Sequence, residues 1–318
     1  MRLSAGHQWM GWIILAFLGL ILATGTECLP PAQAADRIPV AASILPLGDF
    51  LEKLGGERVE VTVLIPPGAS PHVYEPSPAA VAQAARARVL AYVGAGLDPW
   101  VERLLARRGE GGPQVVQATA GIPLLAEVPH PDHDQHLGQE AERGGHRHDQ
   151  GNPHIWLDPV IAQDICRRLA AALMAADPEH RELYEANLAR YLAELEALHQ
   201  EIIAATATFR IREFVSFHPA FSYFARRYGL KEVGVIEAAP GREPTPGLLR
   251  KLINNIRKFQ VQAVFAEPQL SPRAAEVLAR EAGVKVLILD PLGGRPPYGS
   301  DYLKLMRHNL AVMQQAMQ

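Results

Sequence analysis

Residues 178–206 read PEHRELYEANLARYLAELEALHQEIIAAT, the longest helical pattern in the chain. Asp177 is placed to cap this helix, and Pro178 suits its first position. At ~1.5 Å per residue the helix would be about 43 Å long, so we expect a stiff connector that runs along two lobes. A coiled coil is the alternative, but the pattern lasts only about four heptads. Its apolar residues recur at three- and four-residue spacing: Leu188, Tyr191, Leu192, Leu195, Leu198 and Ile202.

On both sides of this helix, short β-rich runs alternate with helical patterns, which is typical of an α/β fold with parallel sheets. The predicted strands are residues 38–42, 59–65, 89–93 and 114–117 before the helix, and 213–217, 231–236, 262–266 and 284–289 after it. Helices are predicted at 245–258 and 271–281. We therefore expect two lobes, each a mostly parallel sheet flanked by helices. Their predicted bounds are 35–176 and 208–318, joined by a connecting helix at 177–207.

The overall composition is that of a folded globular protein. The 318 residues carry a net charge of −3, which argues against a nucleic-acid partner. The chain is longer than one compact core usually serves, in agreement with two lobes. It has two cysteines. Cys28 precedes the predicted mature chain, so Cys166 has no partner for an internal disulfide and is expected to be a buried apolar residue in a helix.

The amino terminus has the pattern of an export signal. Arg2 precedes an apolar run over residues 9–22 that is short for a membrane span. Residues 32–34 read AQA, which suits a signal peptidase, so residues 1–34 are predicted to be removed. An uncleaved anchor helix is the alternative. A lipid anchor on Cys28 is disfavoured because Glu27 stands where a small residue is needed.

Residues 129–151, PHPDHDQHLGQEAERGGHRHDQG, are nearly devoid of apolar side chains. Such a segment cannot build a core, and its composition is typical of a low-complexity metal-binding tract. We predict a surface loop that forms a weak metal site; a solvated linker is the alternative. Its histidines are His130, His133, His136, His146 and His148.

Three other histidines stand beside prolines at predicted loop entrances: His72, His154 and His218. A lone histidine is more often structural than a metal ligand, so their motifs must be considered together. The motifs are PPGASPHVYEPSP at 66–78, NPHIWLDP at 152–159, FVSFHPAFSYFARRYGL at 214–230, AEPQLSP at 266–272 and LILDPLG at 287–293. In this order they resemble the cluster A-I solute-binding proteins of zinc and manganese ABC importers, and the resemblance covers essentially the whole mature chain.

The resemblance implies four metal ligands, two from each lobe: His72, His154, His218 and Asp290. Three neutral imidazoles and one carboxylate are donors that Zn(II) accepts in tetrahedral geometry. In the family the third position separates zinc carriers, which have histidine, from manganese carriers, which tend to have glutamate. This chain has His218, and imidazole nitrogen favours zinc over manganese. Glu75 is considered as an extra oxygen ligand or supporting partner, with a plain surface carboxylate as the alternative.

The resemblance implies a periplasmic zinc-binding protein that captures Zn(II) as its transported ligand and delivers it to the membrane permease of an ABC importer. It is expected to be a monomer. Taken singly, the motifs also fit a proline-rich turn, a helix entrance capped by Asp158 and a strand end capped by Asp290. The functional alternatives are a manganese importer component and a metal-dependent adhesin. A zinc enzyme is disfavoured, because the chain lacks HExxH, GxSxG and P-loop motifs and four protein ligands leave no vacant position for water.

Overall fold

The computed structural model describes residues 37–107, 112–126, 151–237 and 244–318, and residues 36–318 form one compact unit. In its first half, four strands form a wholly parallel sheet: β1 (Ile38–Ala42), β2 (Val59–Val63), β3 (Val89–Tyr92) and β4 (Gln114–Gln117). Their order is β2-β1-β3-β4. All four residues of β3 are buried, as expected of a parallel strand covered on both faces.

The second half repeats this arrangement with a second parallel sheet, in the order β6-β5-β7-β8. Its strands are β5 (Glu213–Ser216), β6 (Lys231–Val235), β7 (Ala263–Ala266) and β8 (Lys285–Ile288). The predicted strands are confirmed, and the observed bounds differ from the predicted ones by at most two residues. The two-lobe α/β fold is therefore confirmed.

Helices cover the sheets, and several begin where sequence signals place them. They are α1 (Leu45–Gly55), α2 (Pro78–Arg86), α3 (Pro99–Ala106), α4 (Pro159–Ala176), α5 (Arg181–Thr206), α6 (Ser222–Tyr228), α7 (Pro246–Lys258), α8 (Arg273–Ala282) and α9 (Tyr302–Met317). The side chains of Asp158 and Thr245 accept hydrogen bonds from first-turn amides of α4 and α7, and proline follows each cap. Cys166 is buried in α4.

The long connecting helix is α5, but its start differs from the prediction. Residues Pro178–His180 form a 3₁₀ turn, and the α-helix begins at Arg181. Asp177 does not cap the helix through its side chain; its carboxylate accepts hydrogen bonds from Tyr184 and the ring of His180. Because those partners and an ion pair with Arg58 at 3.6 Å hold the carboxylate, it is not available to the free amides of the first turn.

A large hydrophobic core extends across both lobes, and each lobe also has a smaller core of its own. The large core joins residues of α1, α4 and β3 with Phe214 of β5, Phe265 of β7 and Met313 of α9. α5 packs against α4, α1 and α9, and the Asn187 side chain donates to the carbonyl of Leu54. In the part of the chain that the structure describes, no helix has the length and apolar character to cross a membrane.

Loops from the two lobes contact each other beside the predicted metal ligands. Gly294, after β8, has a φ of +89°, and a Cβ there would lie 2.7 Å from the Cβ of Pro67. Only glycine therefore allows this approach without displacing the loop. The indole of Trp156 donates to the carbonyl of Pro291 at 2.7 Å, and the hydroxyl of Tyr302 donates to the carbonyl of Trp156 at 2.6 Å. These contacts fix the loops after β8 against those that carry His72 and His154.

Candidate metal centre

Each of the three proline-flanked histidines is placed by a short 3₁₀ turn. His72 lies within the turn Pro71–Val73 in the connection that follows β2. His154 directly precedes the turn Ile155–Leu157, which leads into α4. His218 follows β5 and precedes the turn Pro219–Phe221. Proline at these positions restricts the backbone, so the sequence holds each imidazole in a defined place.

The three imidazoles converge in a cleft between the lobes. The Nε2 atoms of His72 and His154 are 3.2 Å apart, and those of His154 and His218 are 3.1 Å apart. A tetrahedral zinc with Zn–N bonds of about 2.0 to 2.1 Å would separate its nitrogens by about 3.3 Å. Among the described residues, these three form the one group of metal-ligating side chains, with ligand atoms within 4.8 Å of one another. The geometry therefore suits one zinc-sized ion.

His154 is oriented by Asn152. The Asn152 side-chain oxygen accepts from His154 Nδ1 at 2.9 Å and from the backbone amide of His154 at 3.0 Å. The Asn152 amide group in turn donates to the carbonyl of Pro219 at 2.7 Å, which assigns its oxygen to His154. Nδ1 therefore carries the proton, and the lone pair of Nε2 faces the cleft.

His218 is oriented in the same way by a carboxylate that sequence reasoning missed. Glu267, directly after β7, accepts a short hydrogen bond from His218 Nδ1, and both side chains are buried. β5 and β7 are neighbours in the sheet, so their carboxyl ends bring His218 and Glu267 together. The only sequence signal was the position of Glu267 at the end of a predicted strand, within AEPQLSP.

Burial and the nearby carboxylates shift the pKa of His218 in opposite directions. Burial lowers the pKa of His218, but the carboxylates of Glu267, Glu232 and Glu237 raise it by more, so the net pKa lies above its ordinary value. Burial raises the pKa of Glu232 to about 7, against the hydrogen bonds from Ser216 and Ser222. This anionic surrounding favours a cation at the cleft.

Asp290 lies next to the cleft but outside the histidine group. It is fully buried, and its neighbours Pro291 and Leu292 line the cavity together with the three histidines. One carboxylate oxygen accepts from Gln269 and from the amides of Leu292 and Gly293. The other accepts from Tyr298 at 2.7 Å. Its assignment as the fourth ligand stays a prediction.

Of the remaining predictions, only the one for Glu75 falls on a described residue. Glu75 is exposed and is not among the clustered residues. The histidine-rich tract, with His130, His133, His136, His146 and His148, lies outside the described residues. The capping of α4 by Asp158 shows that the motif NPHIWLDP combines a helix start with a cleft histidine.

Residues 40–316 match the model of the family described as zinc-uptake complex component A, periplasmic, ZnuA. The chain belongs to this family. It is 29% identical to the high-affinity zinc uptake system protein ZnuA of Bacillus subtilis over 98% of each chain. It is 31% identical to the zinc-binding lipoprotein AdcA of Streptococcus pneumoniae over 91% of this chain and 57% of AdcA. The chain thus spans a little over half the length of AdcA.

Solved structures of ZnuA-type proteins share the fold. A crystal structure of ZnuA superimposes with a TM-score of 0.75 at 33% identity, covering 88% of this chain and 99% of that one. A structure of the laminin-binding protein Lmb of Streptococcus agalactiae, described as bifunctional with adhesin and metal-transporting activity, gives a TM-score of 0.73 at 28% identity, with 88% and 99% coverage. At 88% of this chain, both likenesses extend over the two lobes.

Proposed function

We propose that this protein is the zinc-binding component of an ABC importer, which captures Zn(II) in the interlobe cleft and delivers it to a membrane permease. The observation that carries the proposal is the convergence of His72, His154 and His218, in which the Nε2 atom of His154 lies near tetrahedral spacing from those of the other two. Asn152 and Glu267 fix two of the rings so that unprotonated Nε2 faces the ion. The periplasm, as in the family description, is the proposed location, and a monomer the proposed state.

The donor set favours zinc over manganese. Three imidazole nitrogens suit a borderline ion such as Zn(II), whereas manganese prefers carboxylate and carbonyl oxygen. The fourth position is proposed for Asp290. Among the described residues, Tyr298 is the single donor to Oδ2 of Asp290, so this oxygen keeps a lone pair for zinc. Because manganese prefers oxygen ligands to the imidazole of His218, a manganese carrier is the weaker alternative.

The same geometry supports binding rather than catalysis. The cleft is small and lined by apolar Leu270, Pro291 and Leu292 besides the histidines, which leaves little room for an organic substrate. The shared core and the α5 connector support small lobe motions rather than wide closure. We therefore propose capture and release of the ion, with release at the permease.

The histidine-rich tract at 129–151 has two proposed roles. In the first, its histidines bind zinc weakly and raise the local concentration near the cleft. In the second, the tract senses zinc and modulates transfer. Deletion of residues 131–150 leaves His154 intact. Separate measurements of cleft affinity and zinc uptake on this variant then distinguish the two roles. Unchanged uptake at scarce zinc would contradict the first role.

A second candidate function is adhesion, which the similarity to a laminin-binding protein with metal-transporting activity favours. The metal cleft and an adhesive surface can coexist in one chain. Binding of the mature chain to immobilised laminin, with and without zinc, tests it. No binding above that of an unrelated periplasmic protein would reject the adhesin.

Growth of a host that lacks its own zinc-binding component, under chelation, tests the importer proposal. The wild-type chain should restore growth and zinc accumulation, and His154→Ala should not. His199→Ala is a matched control, because His199 lies in α5 and bonds to Tyr228 rather than to the cleft. Equal rescue by wild type and His154→Ala would contradict the proposal. Restored manganese uptake without restored zinc uptake would favour a manganese importer component.

A further inference from the structure

Charge is distributed unevenly between the two halves of the chain. Residues 37–207 contain 14 Lys and Arg and 23 Asp and Glu, whereas residues 208–318 contain 16 Lys and Arg and nine Asp and Glu. Three of those nine acids, Glu237, Glu267 and Asp290, are buried near the cleft. The outer surface of the second lobe is therefore more basic than its net charge indicates.

The basic residues are concentrated on α7. Its sequence, PGLLRKLINNIRK, contains four basic residues and no acidic one. The apolar residues at 248, 249, 252, 253 and 256 pack into the core of the second lobe. The opposite face is exposed and polar at Arg250, Lys251, Asn254, Arg257 and Lys258. These positions repeat at three- and four-residue spacing, so they form one stripe along the helix.

No counter-charge neutralises this stripe within the described chain. None of its four cations forms an ion pair with a described acidic residue. At its end, the ammonium groups of Lys258 and Lys231 both lie against the ring of Phe259, at 5.1 and 5.6 Å from its centroid. Lys231 thereby extends the basic stripe beyond the end of α7.

We infer that this basic face, formed by Arg250, Lys251, Arg257, Lys258 and Lys231, adsorbs the protein to the surface of an anionic phospholipid bilayer. The inference rests on the proposed function, because a carrier that delivers to a membrane permease gains from concentration at that membrane. Clusters of four to eight Lys and Arg on an amphipathic helix are typical of binding to anionic headgroups.

A lipid surface fits this face better than a protein partner does. Stable protein interfaces have an apolar and aromatic centre that carries most of the binding energy. After the exposed Pro246 and Gly247 of the first turn, the outer face of α7 offers basic residues and Asn254 and no exposed apolar side chain. α7 packs along the side of the sheet, against β5, β6 and α8, whereas the histidines follow the carboxyl ends of strands. Adsorption through α7 therefore leaves the cleft open.

Sedimentation with vesicles tests the inference on the full mature chain. The chain should sediment with vesicles of phosphatidylcholine mixed with phosphatidylglycerol, and not with phosphatidylcholine alone. It should be released at ~1 M salt, where the Debye length is about 3 Å. Each basic residue contributes on the order of fivefold to such binding, so Arg250→Gln with Lys251→Gln should lower it on the order of 25-fold.

The matched control is Arg86→Gln with Arg103→Gln, which removes two exposed arginines of the first lobe and should leave vesicle binding unchanged. Equal binding to neutral vesicles, equal loss in both double variants, or no binding by the wild-type chain would overturn the inference. If the variant with Arg250→Gln and Lys251→Gln kept its vesicle binding but lost delivery to a detergent-solubilised permease, the inference would also be overturned. That result would assign the face to a protein partner.

Zinc titration of the same variants keeps the two proposals separate. Arg250 and Lys251 do not contact the cleft, so both double variants should bind zinc as the wild type does. Tight zinc binding without binding to anionic vesicles would refute the membrane inference alone. A chain that adsorbs to anionic vesicles and has no tight zinc site refutes the proposed function alone.

Discussion

Replacement of Glu267 should weaken zinc binding without removing any metal ligand. Its carboxylate accepts a short hydrogen bond from His218 Nδ1, and both side chains are buried. A hydrogen bond to a charged group contributes about 1.5 to 3 kcal/mol. Loss of such a partner costs about 10- to 100-fold in metal affinity, which agrees with that energy. Glu267→Gln keeps an acceptor but loses the charge, so we expect about 10-fold. Glu267→Ala loses both, so we expect about 100-fold.

Competitive zinc titration measures these losses, and its pH dependence identifies their cause. Glu267 raises the pKa of His218, so in the wild type protons compete with zinc at higher pH. Glu267→Gln removes that effect, and the affinity advantage of the wild type should shrink as the pH falls. Glu232→Gln separates the charge effect from the hydrogen bond: Glu232 also raises the pKa of His218, but it is hydrogen bonded to Ser216 and Ser222 and not to the ring. Zinc binding by Glu267→Ala within about twofold of wild type, far below the expected cost, would refute the reasoning.

Two further predictions concern other buried carboxylates. Burial raises the pKa of Asp49 from 3.8 to about 6. The folded state thus binds the proton more tightly, and the stability gained at low pH is lost as pH rises through 6. Asp49→Asn should therefore gain about 2 kcal/mol in unfolding free energy relative to wild type between about pH 4.5 and pH 7.5; a constant difference in denaturant titrations would contradict this. If Asp290 is the fourth ligand, Tyr298→Phe should lower zinc affinity about 10-fold, because the Tyr298 hydroxyl orients the carboxylate oxygen that keeps a lone pair for the ion. A change in stability alone, with unchanged zinc affinity, would assign Asp290 a structural role.

Local patterns predicted the elements well because they depend on neighbouring residues in the sequence. β1 and β4 have the predicted bounds, and Thr245 caps α7 as its sequence indicates. The sequence did not predict the strand order in each sheet, since that order depends on how each connection crosses the sheet rather than on periodicity. The start of α5 was also misplaced, because Asp177 bonds to Tyr184 and His180 in three dimensions.

The site shows the same division. His72, His154 and His218 stand in recognisable motifs, and the structure brings them together. Glu267 was missed because its role depends on β7 lying beside β5, which no local pattern reveals. The hydrogen bonds that occupy Asp290 come from Gln269 and Tyr298 as well as from the two amides that follow it. The full set of hydrogen bonds that orients its carboxylate is therefore visible only in the fold.

The most direct test of the cleft site is a competitive zinc titration of residues 35–318 without residues 131–150, in parallel with the same chain carrying His218→Ala. We expect one tightly bound zinc per chain. We expect His218→Ala to weaken this site by more than about 100-fold, the upper end of the loss caused by removing a supporting partner. No tight site, preferential retention of manganese, or equal affinity in the variant would contradict the claim that the cleft histidines bind zinc.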